Sequence, residues 1–151
     1  MSDLLTHWAA FEDMRRLAAL DPRMARDLAA ILEAERQYAR LGAISRGGAR
    51  FVPHILSKAR EQWPAARAGA GRDLLARRIA YALGGICHYP VDYILKPVMS
   101  RLAGVDWNRT HHEMQKGTAQ QAALDAIQEI SVYCDVKVFR EVYLSGGEEP
   151  F

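Results

Sequence analysis

The chain has 151 residues, half of them hydrophobic, with 20 Lys and Arg against 18 Asp and Glu and a formal net charge of +2. That length and apolar content suffice for one sizeable core, so the whole chain, residues 1–151, reads as a single domain. The basic residues are spread from Arg15 to Arg140 rather than massed beside stacking aromatics, which argues against a nucleic-acid-binding surface.

No run of roughly 18 uncharged apolar residues occurs, so no membrane span is expected. The opening residues Met1-Ser2-Asp3-Leu4-Leu5-Thr6-His7-Trp8 lack the basic segment and long apolar stretch of a secretory signal. The two cysteines, Cys87 and Cys134, are too few for a disulfide framework and read as free thiols, so the expected location is the cytoplasm.

Helical periodicity begins at once. Leu4, Trp8, Phe11 and Met14 recur at spacings of three and four and predict a helix over about 3–20. Asp21-Pro22 reads as an N-cap followed by proline in the first helical position, with a second helix to about Leu41 and a core face of Met24, Leu28, Ile31 and Leu32. The segment from Gly42 to Gly48 reads as a loop in which glycine supplies positive backbone dihedrals. A third helix covers about 51–63 with Pro53 in its first turn, and the Ala- and Gly-rich segment 65–71 links it to a fourth.

The fourth segment, about 72–102, is strongly apolar in its middle, and Pro90 within it must kink or break the helix. Gly84-Gly85 just before that proline would let another element approach closely. A short segment holds Trp107 and the pair His111-His112, and Thr118-Ala-Gln-Gln121 fits a capping box opening a last helix to about Leu144. Ile127, Ile130, Cys134 and Val138 share one face of that helix. No convincing strand pattern and no internal repeat occurs, so the fold class is all-α, a single-domain multi-helix bundle.

Chemistry concentrates in Cys87-His88-Tyr89-Pro90-Val91-Asp92. His88 and Asp92 are four apart, which puts both on one helix face among apolar neighbours. Two such side chains can converge on one metal ion, or they can form a hydrogen-bonded pair bridging two helices. His7 and His54 fit core or boundary positions, and His111 with His112 fits a solvated segment. Yet the histidines are distributed so that several helical segments offer one each, a pattern that can converge at the centre of a bundle. Asp125 and Glu129 read as an exposed pair. Neither a phosphate-binding glycine loop ending in Lys-Ser or Lys-Thr nor a Gly-x-Ser-x-Gly elbow is present.

Leu5-Thr6-His7-Trp8 and Tyr81-Ala-Leu-Gly-Gly-Ile-Cys-His88-Tyr-Pro-Val-Asp92 together resemble the bacterial zinc-dependent phospholipase C family, whose members open with a Thr-His and carry a helix of this pattern. The resemblance implies an all-helical bundle, zinc as cofactor, and hydrolysis of a phosphate-containing small-molecule substrate by metal-activated water. His7, His88 and Asp92 match ligand positions of the family, and His54 or His111 would complete the set.

The chain also departs from that pattern. Lys96-Pro97 stands where the family has His-Pro, and His111 is followed by Gln115 where a glutamate is usual. The Ser45–Gly48 loop lacks the family's aspartate, and no carboxylate occurs between Arg40 and Arg60. A reduced metal site is therefore the expectation. Two alternatives stand beside it. One is a diverged, non-catalytic member serving as a small-molecule-binding or protein-interaction domain. The other is an enzyme using His88 as general base oriented by Asp92, with Lys96 as an anion clamp.

Overall fold

The computed structural model describes residues 4–45, 48–66 and 69–146. Among them are seven α-helices: α1 (Leu4–Leu20), α2 (Arg26–Ala34), α3 (Arg36–Ala43), α4 (Gly48–Gln62), α5 (Ala70–Ala103), α6 (Trp107–Gln115) and α7 (Gln121–Val138). A π-helical turn, Phe139–Tyr143, continues α7, and no strand occurs among the described residues. The all-α expectation holds. Contacts group the chain into two compact units, one of residues up to Ala9 and from Val91 on, the other Ala10–Pro90; the divide falls within α1 and within α5.

In the unit Ala10–Pro90, the apolar faces read from the sequence make the core. Phe11, Ile31, Leu32, Leu75 and Ile79 are buried together, with Met24, Leu28 and Leu83 packed against them. Trp63 closes one edge of this core, and the Arg72 guanidinium stacks 3.1 Å from its ring centroid while donating to the Trp63 carbonyl at 2.7 Å.

The second helix comes in two pieces. Asp21 does not cap it. Its Oδ1 accepts from the Arg23 backbone N–H at 2.9 Å, and this local turn outcompetes helix initiation, so α2 starts only at Arg26. At Glu35 the backbone leaves the helical region (φ −113°, ψ 33°) and α3 sets off anew.

The fourth helix, in contrast, does not break. α5 runs from Ala70 to Ala103 through both Pro90 and Pro97. Each proline frees the carbonyl four residues earlier, at Ile86 and Tyr93, and all four positions are exposed. On such an exposed face water can satisfy the freed carbonyls, so a proline there need not end the helix.

Glycine acts here through space rather than through dihedrals. A Cβ on Gly84 would stand 1.8 Å from the Ala39 carbonyl oxygen, and one on Gly42 would stand 2.0 Å from that of Tyr81. Helices α3 and α5 are thus in backbone contact, in keeping with the expectation from the Gly84-Gly85 pair. Gly42 itself lies within α3 and Gly48 opens α4, so neither serves as a positive-φ loop residue. The expectation of a glycine loop is corrected on that point, while Arg46 and Gly47 lie outside the described residues. Because α4 starts three residues earlier than expected, Pro53 falls in its second turn.

In the other unit, the first turn of α1 is tied to α7. The Thr6 backbone N–H and hydroxyl both donate to Asp135 Oδ1, at 3.1 and 3.0 Å. Asp106 caps α6 by accepting from the Arg109 N–H at 2.9 Å, and Trp107 behind it is buried. The expected capping box is not formed. Gln120 precedes α7 with no side-chain cap, because the Thr118 hydroxyl turns back to the Glu113 carbonyl at the end of α6.

Cys87 is half-buried beside the Ala10–Pro90 core, and burial pushes its thiol up to about 11. Its thiolate fraction near neutral pH is therefore about a hundredfold below that of an ordinary cysteine. Iodoacetamide labelling of the folded chain should leave Cys87 unmodified on a timescale that saturates it in denaturant. Equal rates in both states would refute the burial argument.

Candidate metal centre

The geometry of the candidate site follows from two anchors. Thr6, pinned to Asp135, fixes the turn of α1 that carries His7, and His7 is buried, with only 4% of the residue exposed. Its Nε2 lies 3.4 Å from Asp92 Oδ1. Asp92 is on α5, and one turn before it on the same helix stands His88, also buried. One donor atom from each of His7, His88 and Asp92 falls within 4.8 Å of the others. The resemblance points to the same three residues.

A backbone oxygen orients His88. Its Nδ1 lies 2.8 Å from the Ala43 carbonyl, which can only accept, so Nδ1 carries a proton and in the neutral ring the lone pair is on Nε2. That is the arrangement in which a metal-binding imidazole is fixed by a second partner. Asp92 is divided in a similar way. Its Oδ2 takes a short ion pair from Lys96 one turn further along α5, while Oδ1 faces His7. The Lys96 ammonium therefore sits on the carboxylate oxygen that does not face His7.

The donor set is one that could hold a divalent metal ion. With zinc–nitrogen and zinc–oxygen bonds near 2.0–2.2 Å, neighbouring ligand atoms of a tetrahedral site lie about 3.4 Å apart. The His7–Asp92 separation already has that value. The other donor separations are within 4.8 Å. Two imidazoles and one carboxylate are the ligand types that would hold such an ion, and among the described residues these three form the group.

The remaining candidates lie elsewhere. His54 is exposed on α4 and lines a cleft with Lys58 and Arg78. His111 is half-buried on α6, outside the three-residue group, and Gln115 ends that helix exposed. His112 is exposed. Asp125 is exposed and accepts from Gln121 Nε2 at 2.7 Å, in keeping with a solvated face.

Sequence reasoning missed two supports of the site, the Thr6–Asp135 tie and the Ala43 carbonyl. Each joins residues far apart in the chain, and no local spacing signals either. Comparison of the chain with protein-family models, with curated proteins and with solved structures finds no match.

Proposed function

We propose that the chain is a metal-dependent phosphodiester hydrolase, related in its site to the zinc-dependent phospholipase C family it resembles and working with a reduced set of ligands. The observation that carries this reading is the grouping of His7, His88 and half-buried Asp92, with both imidazoles buried. Zinc held there would supply Lewis acidity, polarising a phosphoryl oxygen and acidifying water near neutral pH.

The chain's own residues do the rest. The Ala43 carbonyl keeps Nε2 of His88 as the donor nitrogen, and the Thr6–Asp135 tie holds the α1 turn that carries His7. Lys96, with its side chain 29% exposed, places a cation beside the carboxylate where a phosphate oxygen of the substrate can reach it. The substrate class is a small phosphate-containing molecule.

Elemental analysis of the full chain after zinc loading and dialysis tests this. About one zinc per chain is expected, with turnover of bis(p-nitrophenyl) phosphate that chelation abolishes and zinc restores. Losing a group that merely orients a ligand weakens a metal site by about 10–100-fold. Asp92→Asn and His7→Ala, which remove ligands, should weaken binding at least that much. A chain that retains no zinc at micromolar concentration and hydrolyses nothing would refute the proposal.

One specific observation favours a second reading, a non-catalytic, diverged member serving as a binding or interaction domain. Lys96 on Asp92 and Ala43 on His88 are partners that hold both side chains without an ion. Under that reading His88→Ala lowers the melting temperature equally with and without zinc.

A further inference from the structure

Within the unit Ala10–Pro90, helices α4 and α5 enclose a cleft of about 220 Å³. α4 supplies His54, Lys58 and Gln62, which recur every four residues and so share one face. From α5 comes Arg78. The floor is apolar, formed by the buried side chains of Ala59 and Leu75. No carboxylate lines the cleft, although three of its side chains can carry positive charge.

That charge is barely compensated. Among the described residues neither His54 nor Arg78 has a hydrogen-bond or ion-pair partner. Lys58 reaches Glu61 at 3.2 Å, but both side chains are more than half exposed, so the pair is weak and readily exchanged. Along α4, Arg50, Lys58 and Arg60 stand against one acid, Glu61. His54, Lys58 and Arg78 are exposed, so their shared positive field attracts an anion, and the apolar floor beneath favours one with an apolar body. The volume lies below the usual range of drug-sized pockets, about 300–1,000 Å³. Arg78 offers the planar fork that matches phosphate, and His54 and Lys58 add single donors.

We infer that this cleft is a binding site for a small phosphate monoester bearing a short apolar group, with the phosphate held by Arg78, Lys58 and His54 and the apolar group on Ala59 and Leu75. The inference is independent of the metal site and of the hydrolytic reading.

Histidine Cε1–H resonances of the full, zinc-free chain provide the test, with His54→Gln assigning the His54 signal. Butyl phosphate at pH 7 should shift that signal saturably, with a Kd below about 1 mM. Inorganic phosphate and butyrate should each bind about tenfold more weakly, because each lacks one half of the match. Arg78→Ala, at an exposed position, should cost about tenfold or more through loss of a charged hydrogen bond, with an unchanged melting temperature. No saturable shift with butyl phosphate would overturn the inference. So would equal binding of inorganic phosphate, which marks a general anion patch, or equal binding by Arg78→Ala.

Discussion

Glu12→Ala is expected to cost the fold about 3–5 kcal/mol, the range for breaking a buried ion pair from one side. Glu12 has no exposed surface, and three arginines converge on it. Arg36 and Arg40 each donate from Nε to Oε1 at 2.7 Å, and Arg15 donates from Nε to Oε2 at 2.9 Å. Arg15 is also paired with Glu33, so it keeps a counter-charge when Glu12 is removed. Arg40, with its side chain only 9% exposed, loses a carboxylate partner in the interior when Glu12 is removed.

The same cluster sets an acid limit. Burial alone would push the Glu12 carboxyl up, but the hydrogen bonds from Arg36, Arg15 and Arg40 together outweigh it and hold the group below the ordinary carboxylate range. A group depressed on folding stabilises the native state above its unfolded pKa, and the contribution is lost as pH falls through the folded value. Stability of the native chain should therefore decline as pH drops below the ordinary carboxylate range, and Glu12→Ala should flatten part of that limb. Urea denaturation at a series of pH values measures both effects. A loss under about 1 kcal/mol, the net worth of an ordinary hydrogen bond, would show that the cluster is not an essential ion pair.

Gly84→Ala should also destabilise the chain, by about 3 kcal/mol or more, at the upper end for overpacked cores. In an unhindered helix interior this change gains about 1 kcal/mol. At this position the new Cβ meets only backbone: the Ala39 oxygen at 1.8 Å, the Ala39 carbon at 2.7 Å and the Ala43 nitrogen at 2.9 Å. No side chain can rotate away, so α3 itself must retreat. Gly71, near the start of α5, is the control. A Cβ there would meet nothing within 4 Å, and Gly71→Ala should stabilise by about 0.4–1 kcal/mol through the unfolded state. Thermal unfolding of the two variants separates them by sign, and a stable Gly84→Ala would contradict the crossing.

Much of this fold is legible in the sequence because amphipathic spacing reports burial directly. Phe11, Ile31 and Leu32 are where their periodicity puts them. The errors arise where a residue's partner is remote or is water. Pro90 looks like a breaker because its sequence does not reveal that it and Ile86 lie at exposed positions of the helix. Asp21 looks like a cap because its competing bond to Arg23 is equally local and equally short. Gly42 looks like a turn residue, since a close approach to Tyr81 cannot be read from either segment alone.

The site shows the same division. His88 and Asp92 are readable as a one-turn pair, and His7 joins them only through the resemblance. Nothing in the spacing of Glu12, Arg36 and Arg40 announces that they meet.

The α3–α5 crossing also has a consequence for how variation in this protein can be interpreted. Gly84 abuts Ala39, and four residues on in each helix His88 meets the carbonyl of Ala43. The group that decides which imidazole nitrogen carries the proton is therefore a peptide oxygen, present whatever side chain occupies position 43. A scan that truncates side chains one by one would pass over it, and a comparison of sequences would find nothing there to compare. Its influence becomes visible only by altering the main chain, as when an ester replaces the amide between Ala43 and Ile44 and weakens that oxygen as an acceptor. Part of the candidate active chemistry is thus encoded in where two helices touch rather than in any residue that a mutation can remove.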